Sequence, residues 1–282
     1  MSKAFCPGHV TAFFAPVITN DVLTTGSLGT GIRLNKGVTV TAEERKGPKT
    51  RVTMDGEKCK AKITERVAEI LAPGIGFDIV TENELPVSQG MGMSAAGAVA
   101  AGLCIASLKG IDEYDAYIAA HTAEVENGGG LGDVAGILGG RQPIRVRAGV
   151  QPFGRTVDTG MEIKVSLIVL GPPMDTGNIL SNAGTMNRIS NIGTDCVLRY
   201  LGEPTERPLY ELSSEFSGRI GLESKKVKRA LSELRKEHTA SMCMLGNSIF
   251  TSADEDEVRD ILGDVRVFQC ASGDTGPIIR KA

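Results

Sequence analysis

The stretch Pro86-Val-Ser-Gln-Gly90-Met-Gly92-Met-Ser94-Ala-Ala-Gly97 constrains this chain more than any other. Ahead of it, residues 76–82 alternate apolar and polar side chains with the period of a strand. Behind it, residues 94–108 form an apolar run broken only by Gly97 and Gly102, which predicts a buried helix. A glycine-rich loop therefore opens directly onto a helix start, with Ser94 near the first turn. Glycines remove the Cβ atoms that would keep a ligand from backbone N–H groups. The free amides and the positive end of the helix dipole then favour an anion, typically a phosphate. The stretch predicts a nucleotide-phosphate cradle.

Three phosphate loops compete for it. A P-loop needs Gly-Lys followed by Ser or Thr, and the chain contains no Gly-Lys pair. Gly90-Met-Gly92-Met-Ser-Ala95 satisfies the lax dinucleotide fingerprint. However, it stands several residues after its strand, and no second strand ending in an acid follows at the required distance. The third is the Pro-x-x-x-Gly-Leu-Gly-Ser-Ser-Ala-Ala motif of the GHMP kinases, the superfamily of galactokinase, homoserine kinase, mevalonate kinase and phosphomevalonate kinase. The stretch resembles that motif at Pro86, Gly90, Gly92, Ser94, Ala95 and Ala96, with Met91 and Met93 replacing a Leu and the first Ser. The resemblance implies an α+β fold of the GHMP kinase type. Its N-terminal domain is ribosomal-protein-S5-like α/β, and its C-terminal domain is ferredoxin-like α+β.

A chain of 282 residues can form one large domain or two smaller ones with ample core. Its net charge of −3, without a basic tract, argues against nucleic acid or an anionic membrane as partner. Cys6, Cys59, Cys104, Cys196, Cys243 and Cys270 show no Cys-x-x-Cys spacing. That argues against structural zinc and a disulfide scaffold, and for a reducing cytoplasm. Residues 94–108 fall short of the roughly 18–20 apolar residues a bilayer span needs. Pro7, Gly8 and His9 interrupt any signal-peptide core. A soluble, cytoplasmic protein is expected.

Along the chain, residues 2–6 predict a short strand, Pro7-Gly8 a turn, and the residues up to Phe14 a second apolar segment. Residues 25–32 read as a glycine-dense loop before a β alternation over 37–41. Hairpin strands are expected within 43–60, and helices over 63–72 and 112–127. The glycine-rich turn of residues 128–140 precedes strands at 143–147 and 162–170. Composition changes near residues 171–173, which places a domain boundary there: residues 1–172 carry the ATP loop, and 173–282 form the second domain. Helices over 178–202, 223–237 and 254–262 and strands over 242–250 and 265–270 complete it.

The resemblance extends beyond one loop. Pro7-Gly8-His9-Val10 is similar to the Ala-Pro-Gly-Lys-Val segment that opens many GHMP kinases, and Met244-Leu-Gly246-Asn247 to their third motif, which closes on the nucleotide. Residues 124–140 resemble the segment that carries a metal-binding Glu and a catalytic Asp in the mevalonate kinase branch. The resemblance implies that Pro86, Gly90, Gly92, Met93, Ser94, Ala95 and Ala96 bind ATP, that Ser94 and Glu124 bind Mg²⁺, and that Asp133 is catalytic. The chemistry suits those residue types. Phosphoryl transfer needs placement and charge neutralisation more than covalent catalysis. Mg²⁺ prefers hard oxygens and keeps several waters, so one carboxylate and one hydroxyl suffice as protein ligands. Asp133 would orient the attacking hydroxyl and accept its proton. Glu126 is the competing metal carboxylate, expected on the outer helix face. His9 departs from the pattern, because an imidazole is no permanent cation; another group is then expected to neutralise the transferred phosphoryl.

Within the superfamily, four segments resemble the archaeal pantoate kinases. They are Lys3-Ala-Phe-x-Pro-Gly-His9-Val-Thr11 with Gly26-Ser27-Leu-Gly29, His121-x-x-Ala-Glu-Val125, and Ser241-Met-x-Met-Leu-Gly-Asn247. That resemblance implies ATP-dependent phosphorylation of the 4-hydroxyl of (R)-pantoate, an early step towards coenzyme A in archaea. A small carboxylate substrate calls for a cation and hydroxyl or imidazole donors. Arg145 and Arg147 alternate with Ile144 and Val146, which predicts both guanidiniums on one strand face, Arg145 nearer Asp133 and suited to a bidentate carboxylate pair. His121 lies one helical turn before Glu124, and Ser27 and Thr176 offer hydroxyls. The expected partners are a small-molecule substrate, neither nucleic acid nor membrane, with a homodimer as an option. Three other readings stay open at this stage: another small alcohol such as homoserine, shikimate or mevalonate, a non-catalytic metabolite sensor of the same fold, and a dinucleotide oxidoreductase.

Overall fold

The structure is a computed structural model that describes residues 1–174 and 183–280. The first part runs β1 (Ser2–Val17), β2 (Gly26–Arg45), β3 (Arg51–Met54), β4 (Glu57–Cys59), α1 (Lys62–Leu71), β5 (Gly76–Asn83), α2 (Met93–Lys109), α3 (Glu113–Glu126), α4 (Asp133–Leu138), β6 (Pro143–Arg147), β7 (Arg155–Asp158) and β8 (Lys164–Val169). Then come α5 (Ala183–Gly202), α6 (Glu206–Ile220), α7 (Lys225–Leu234), β9 (Ala240–Met242), β10 (Ser248–Thr251), α8 (Glu255–Leu262), β11 (Arg266–Ala271) and β12 (Ile278–Arg280).

The first sheet has the order β12-β1-β2-β5-β3-β4, with β6 paired to β2 and β7 to β6. The expected Pro7-Gly8 turn does not form. β1 runs through it, antiparallel to β2, and the register shifts between Pro7 and His9. Proline cannot donate to a ladder, and such a bulge is where a strand tolerates it. Residues 26–32 are likewise strand rather than loop. α2 is apolar on every side and lies under α1 and α3 against β1 and β2; a helix hydrophobic all round belongs in a core.

The second sheet is antiparallel in the order β11-β8-β10-β9. This is the strand order of the ferredoxin-like βαββαβ unit, with β8 as its first strand. The apolar run 242–250 is a hairpin instead of one strand, because Cys243 N donates to Ser248 O (3.0 Å) and closes a turn between β9 and β10. α6 went unpredicted: Pro208 suggests a loop, yet it occupies the first turn, where a helix loses no hydrogen bond. α5 and α6 pack on β1 through Phe13, Phe14, Tyr200 and Phe216, with Phe13–Tyr200 and Phe14–Phe216 edge-on at 5.7 Å. All six cysteines are free thiols, and no helix among the described residues is long and apolar enough to cross a membrane.

Candidate active site

The loop before α2 is shaped by backbone conformation. Ser88, Gly90 and Gly92 have φ of 60°, 71° and 64°, the left-handed region in which glycine is at ease. α2 starts at Met93 with no side-chain cap, so the amides of Met93, Ser94 and Ala95 have no carbonyl one turn earlier to bond. Three contacts hold this loop still. His9 N donates to Met91 O (3.0 Å), Gln89 Nε2 to Gly171 O (3.0 Å), and Ser248 Oγ to Gln89 O (2.5 Å). Met93 and Ser94 border a cavity of about 320 Å³ whose walls include Val38, Ile63, Thr81 and Val87, and Ala95 and Ala96 are buried behind them. A mostly apolar cleft ending at uncapped amides suits a base at one end and phosphates at the other.

Beside Ser94 stand two acids. Ser94 Oγ donates to Glu124 Oε1 (2.8 Å), and Gly130 N donates to Glu124 Oε2 (2.6 Å). Burial pushes the Glu124 carboxyl up to about 7, although the Ser94 hydrogen bond opposes it. Asp133, the first residue of α4, receives His9 Nδ1 (3.1 Å) and Thr11 Oγ1 (3.3 Å) on Oδ1. Burial alone would raise this carboxyl. The His9 hydrogen bond and nearby charges, Arg145 among them, outweigh it and hold Asp133 below the usual carboxylate range. His9 is fully buried, and burial lowers its own basicity more than Asp133 restores it. Because Asp133 Oδ1 can only accept, the proton of this bond sits on His9 Nδ1. The two carboxylates sit so close to Gly129 and Gly130 that a Cβ at either position would overlap them. Glu126 turns outward to Arg66 Nε (2.8 Å), as its helix position predicts.

The third group is Arg145, at 1% exposure, none of whose guanidinium nitrogens has a hydrogen-bond partner. Burial pushes it down to about 10, so it remains a cation at neutral pH. It lines a small cavity with Thr11, Ser27, Asp133 and Leu245. The expectation that Arg147 shares its face fails. The β6–β7 register shifts between the two arginines, Arg147 is exposed, and it donates to Pro152 O (3.0 Å). His121 is buried with Nε2 bonded to Val22 O (3.0 Å) and does not line that cavity. Thr176 lies outside the described residues. Sequence reasoning missed Thr11 and the bond from His9 as the groups that hold Asp133. Their spacing, two apart in a strand and so on one face, was the available signal.

A glycine-rich loop opening on uncapped amides, a hydroxyl–carboxylate pair and a second carboxylate beside a buried cation have the layout expected of a small-molecule kinase site. The GHMP kinases N-terminal domain family matches residues 60–141. The chain is 34% identical to a pantoate kinase of Thermococcus kodakarensis, over 94% of this chain and 93% of that one. It is 30% identical to a pantoate kinase of Methanospirillum hungatei, over 98% and 95% of the two chains. A solved structure described as a phosphotransferase related to the CoA biosynthesis pathway superposes with a TM-score of 0.88 at 31% identity, covering 99% and 98%. The chain belongs to the pantoate kinase family of the GHMP kinases.

Proposed function

We propose that this chain transfers the γ-phosphoryl group of ATP to the 4-hydroxyl of pantoate, in the synthesis of coenzyme A. One observation carries the acceptor: a buried guanidinium with every donor free shares a cavity with the carboxylate that would receive the hydroxyl. A buried charge without a partner is costly, and an incoming carboxylate relieves that cost with a bidentate pair. Ser27 faces the same cavity and would add a hydroxyl. His121 would act one layer back, bracing Val22, and Thr176 stays a candidate donor.

Ser94 Oγ and Glu124 Oε1 fit a magnesium ion. Their 2.8 Å separation is close to the edge of an octahedron with bonds of about 2.0–2.1 Å. Among the described residues no cluster of three His, Cys, Asp or Glu side chains forms a metal cage, in keeping with an ion that arrives on a nucleotide. When bound, magnesium would neutralise phosphate charge. The chain's own residues do the rest. The α2 amides grip phosphate oxygens, Arg145 fixes the acceptor's carboxylate, and Asp133 aligns its hydroxyl. A carboxylate held below its usual range accepts that proton late, which suits a loose phosphoryl-transfer transition state.

The nucleotide loop and Asp133 would come from residues 1–172 and the turn that closes on them from residues 173–282, in a cytoplasmic enzyme, although β8 already belongs to the second sheet and β12 returns to the first. A coupled ADP-release assay with pantoate, ATP and magnesium tests the reading; turnover of homoserine or mevalonate without pantoate would reject it. Asp133→Asn should lower kcat about 10²- to 10⁴-fold while nucleotide binding survives.

A further inference from the structure

The acceptor cavity has an apolar wall that the roles above leave unused. Phe14 of β1, Leu131, and Met244 and Leu245 of the β9–β10 turn line it beside Arg145 and Asp133. Leu245 stands out, because its φ is 35°, in the left-handed region that residues with a side chain avoid. Such turn positions favour Gly or Asn, and Gly246 and Asn247 follow immediately. The turn has no freedom to relax. Met244 N donates to Thr11 O (3.2 Å) and Gly246 N to Cys243 O (2.9 Å), and Gly246 is pressed so closely on Gln89 and Gly90 that no Cβ fits. A strained residue held by its surroundings at the edge of a ligand cavity is grounds for assigning it a role with the ligand.

We infer that Leu245, backed by Met244, selects the acceptor by its quaternary carbon; this rests on the pantoate reading. Pantoate is 2,4-dihydroxybutyrate with two methyl groups on C3, between the carboxylate end and the reacting hydroxymethyl. Arg145 and Asp133 read a carboxylate and a hydroxyl, which the unbranched acid presents equally well. Only an apolar surface distinguishes the two compounds. Leu245 supplies that surface and takes no part in the chemistry. One methylene in a hydrophobic pocket is worth roughly 10- to 200-fold in discrimination, enough to set the preference.

The test compares kcat/KM for pantoate and 2,4-dihydroxybutyrate in the wild-type protein, Leu245→Gly and Leu245→Met, with a melting curve for each. Wild type should prefer pantoate by about tenfold or more. Leu245→Gly, which suits the backbone, should erase most of that preference through a higher KM for pantoate, leaving the unbranched acid within about threefold. Leu245→Met should keep it. If the glycine variant melts early, Leu245→Asn, also at ease at this φ, takes its place. An unchanged ratio in Leu245→Gly or its Asn replacement, or equal wild-type rates on both acids, overturns the inference while leaving the kinase reading intact. No wild-type turnover of pantoate overturns both.

Discussion

His9 holds the site together at the scale of single residues. Its amide ties down Met91 in the phosphate loop, and its ring ties down Asp133. Its Nε2 is buried without a partner, between Gly31 and Gly136. An asparagine amide can stand where Nδ1 stands, whereas a glutamine amide reaches towards Nε2. His9→Asn should therefore keep kcat within about tenfold and His9→Gln lose about 100-fold, with the KM for ATP unchanged in both. Equal losses would reduce His9 to a space-filler. Glu124 makes a second prediction at this scale, in magnesium-free protein. Its folded pKa of about 7 lies above the ordinary 4.5, so the folded state takes up a proton between those values. Stability should fall as pH rises from about 5 to 7, by up to about 3 kcal/mol. Glu124→Gln should flatten that dependence; parallel melting-temperature profiles from pH 5 to 8 would show that the group is not buried as described. Arg145→Ala should raise the KM for pantoate about 10- to 100-fold and leave that for ATP nearly unchanged.

The decisive elements are β1 and the loop-α2 unit. β1 supplies His9 and Thr11 to Asp133, and its bulge after Pro7 sets their facing. α2 brings uncapped amides to the end of a buried helix, where the dipole is least screened by water. Gly92 makes the junction possible. A Cβ there would press on His9 backbone atoms, at a φ of 64°. Gly92→Ala should cost about 1–3 kcal/mol of stability for the strain alone and weaken nucleotide binding, checked by urea unfolding and ATP titration. The loop and helix were legible because glycine spacing and an apolar run are local signals. The reading of residues 25–32 as a loop failed for a tertiary reason. Gly29 and Gly31 pair with β1 in a strand, where the β1 backbone together with Arg145 and His9 fills the space a Cβ would take.

At the scale of the molecule, the two sheets meet at the site. The β9–β10 turn of the second sheet closes on the glycine-rich loop before α2 and reaches the cavity that holds Arg145 and Asp133. Helices α5 and α6 cement the layers, with Phe216 fully buried against Phe13 and Phe14. Phe216→Ala should cost about 3–5 kcal/mol and lower activity along with stability, because β1 carries the residues that hold Asp133. Retained activity with lowered stability would mean that the layers are not coupled through β1.

By itself, the sequence determined the glycine-rich loop and the buried helix behind it, and its resemblance to the GHMP kinases gave the kinase class and pointed to Ser94, Glu124 and Asp133. The loop and helix rest on residue types at short spacing, where backbone geometry leaves little choice. Tertiary structure alone decided that Arg145 is buried and free while Arg147 is spent on the surface, that His9 bonds Asp133, and that Leu245 stands with a positive φ at the wall of the Arg145–Asp133 cavity. Those outcomes depend on a strand bulge, on burial, and on contacts between residues a hundred or more positions apart; a local pattern places His9 and Thr11 on one strand face but does not say what that face meets.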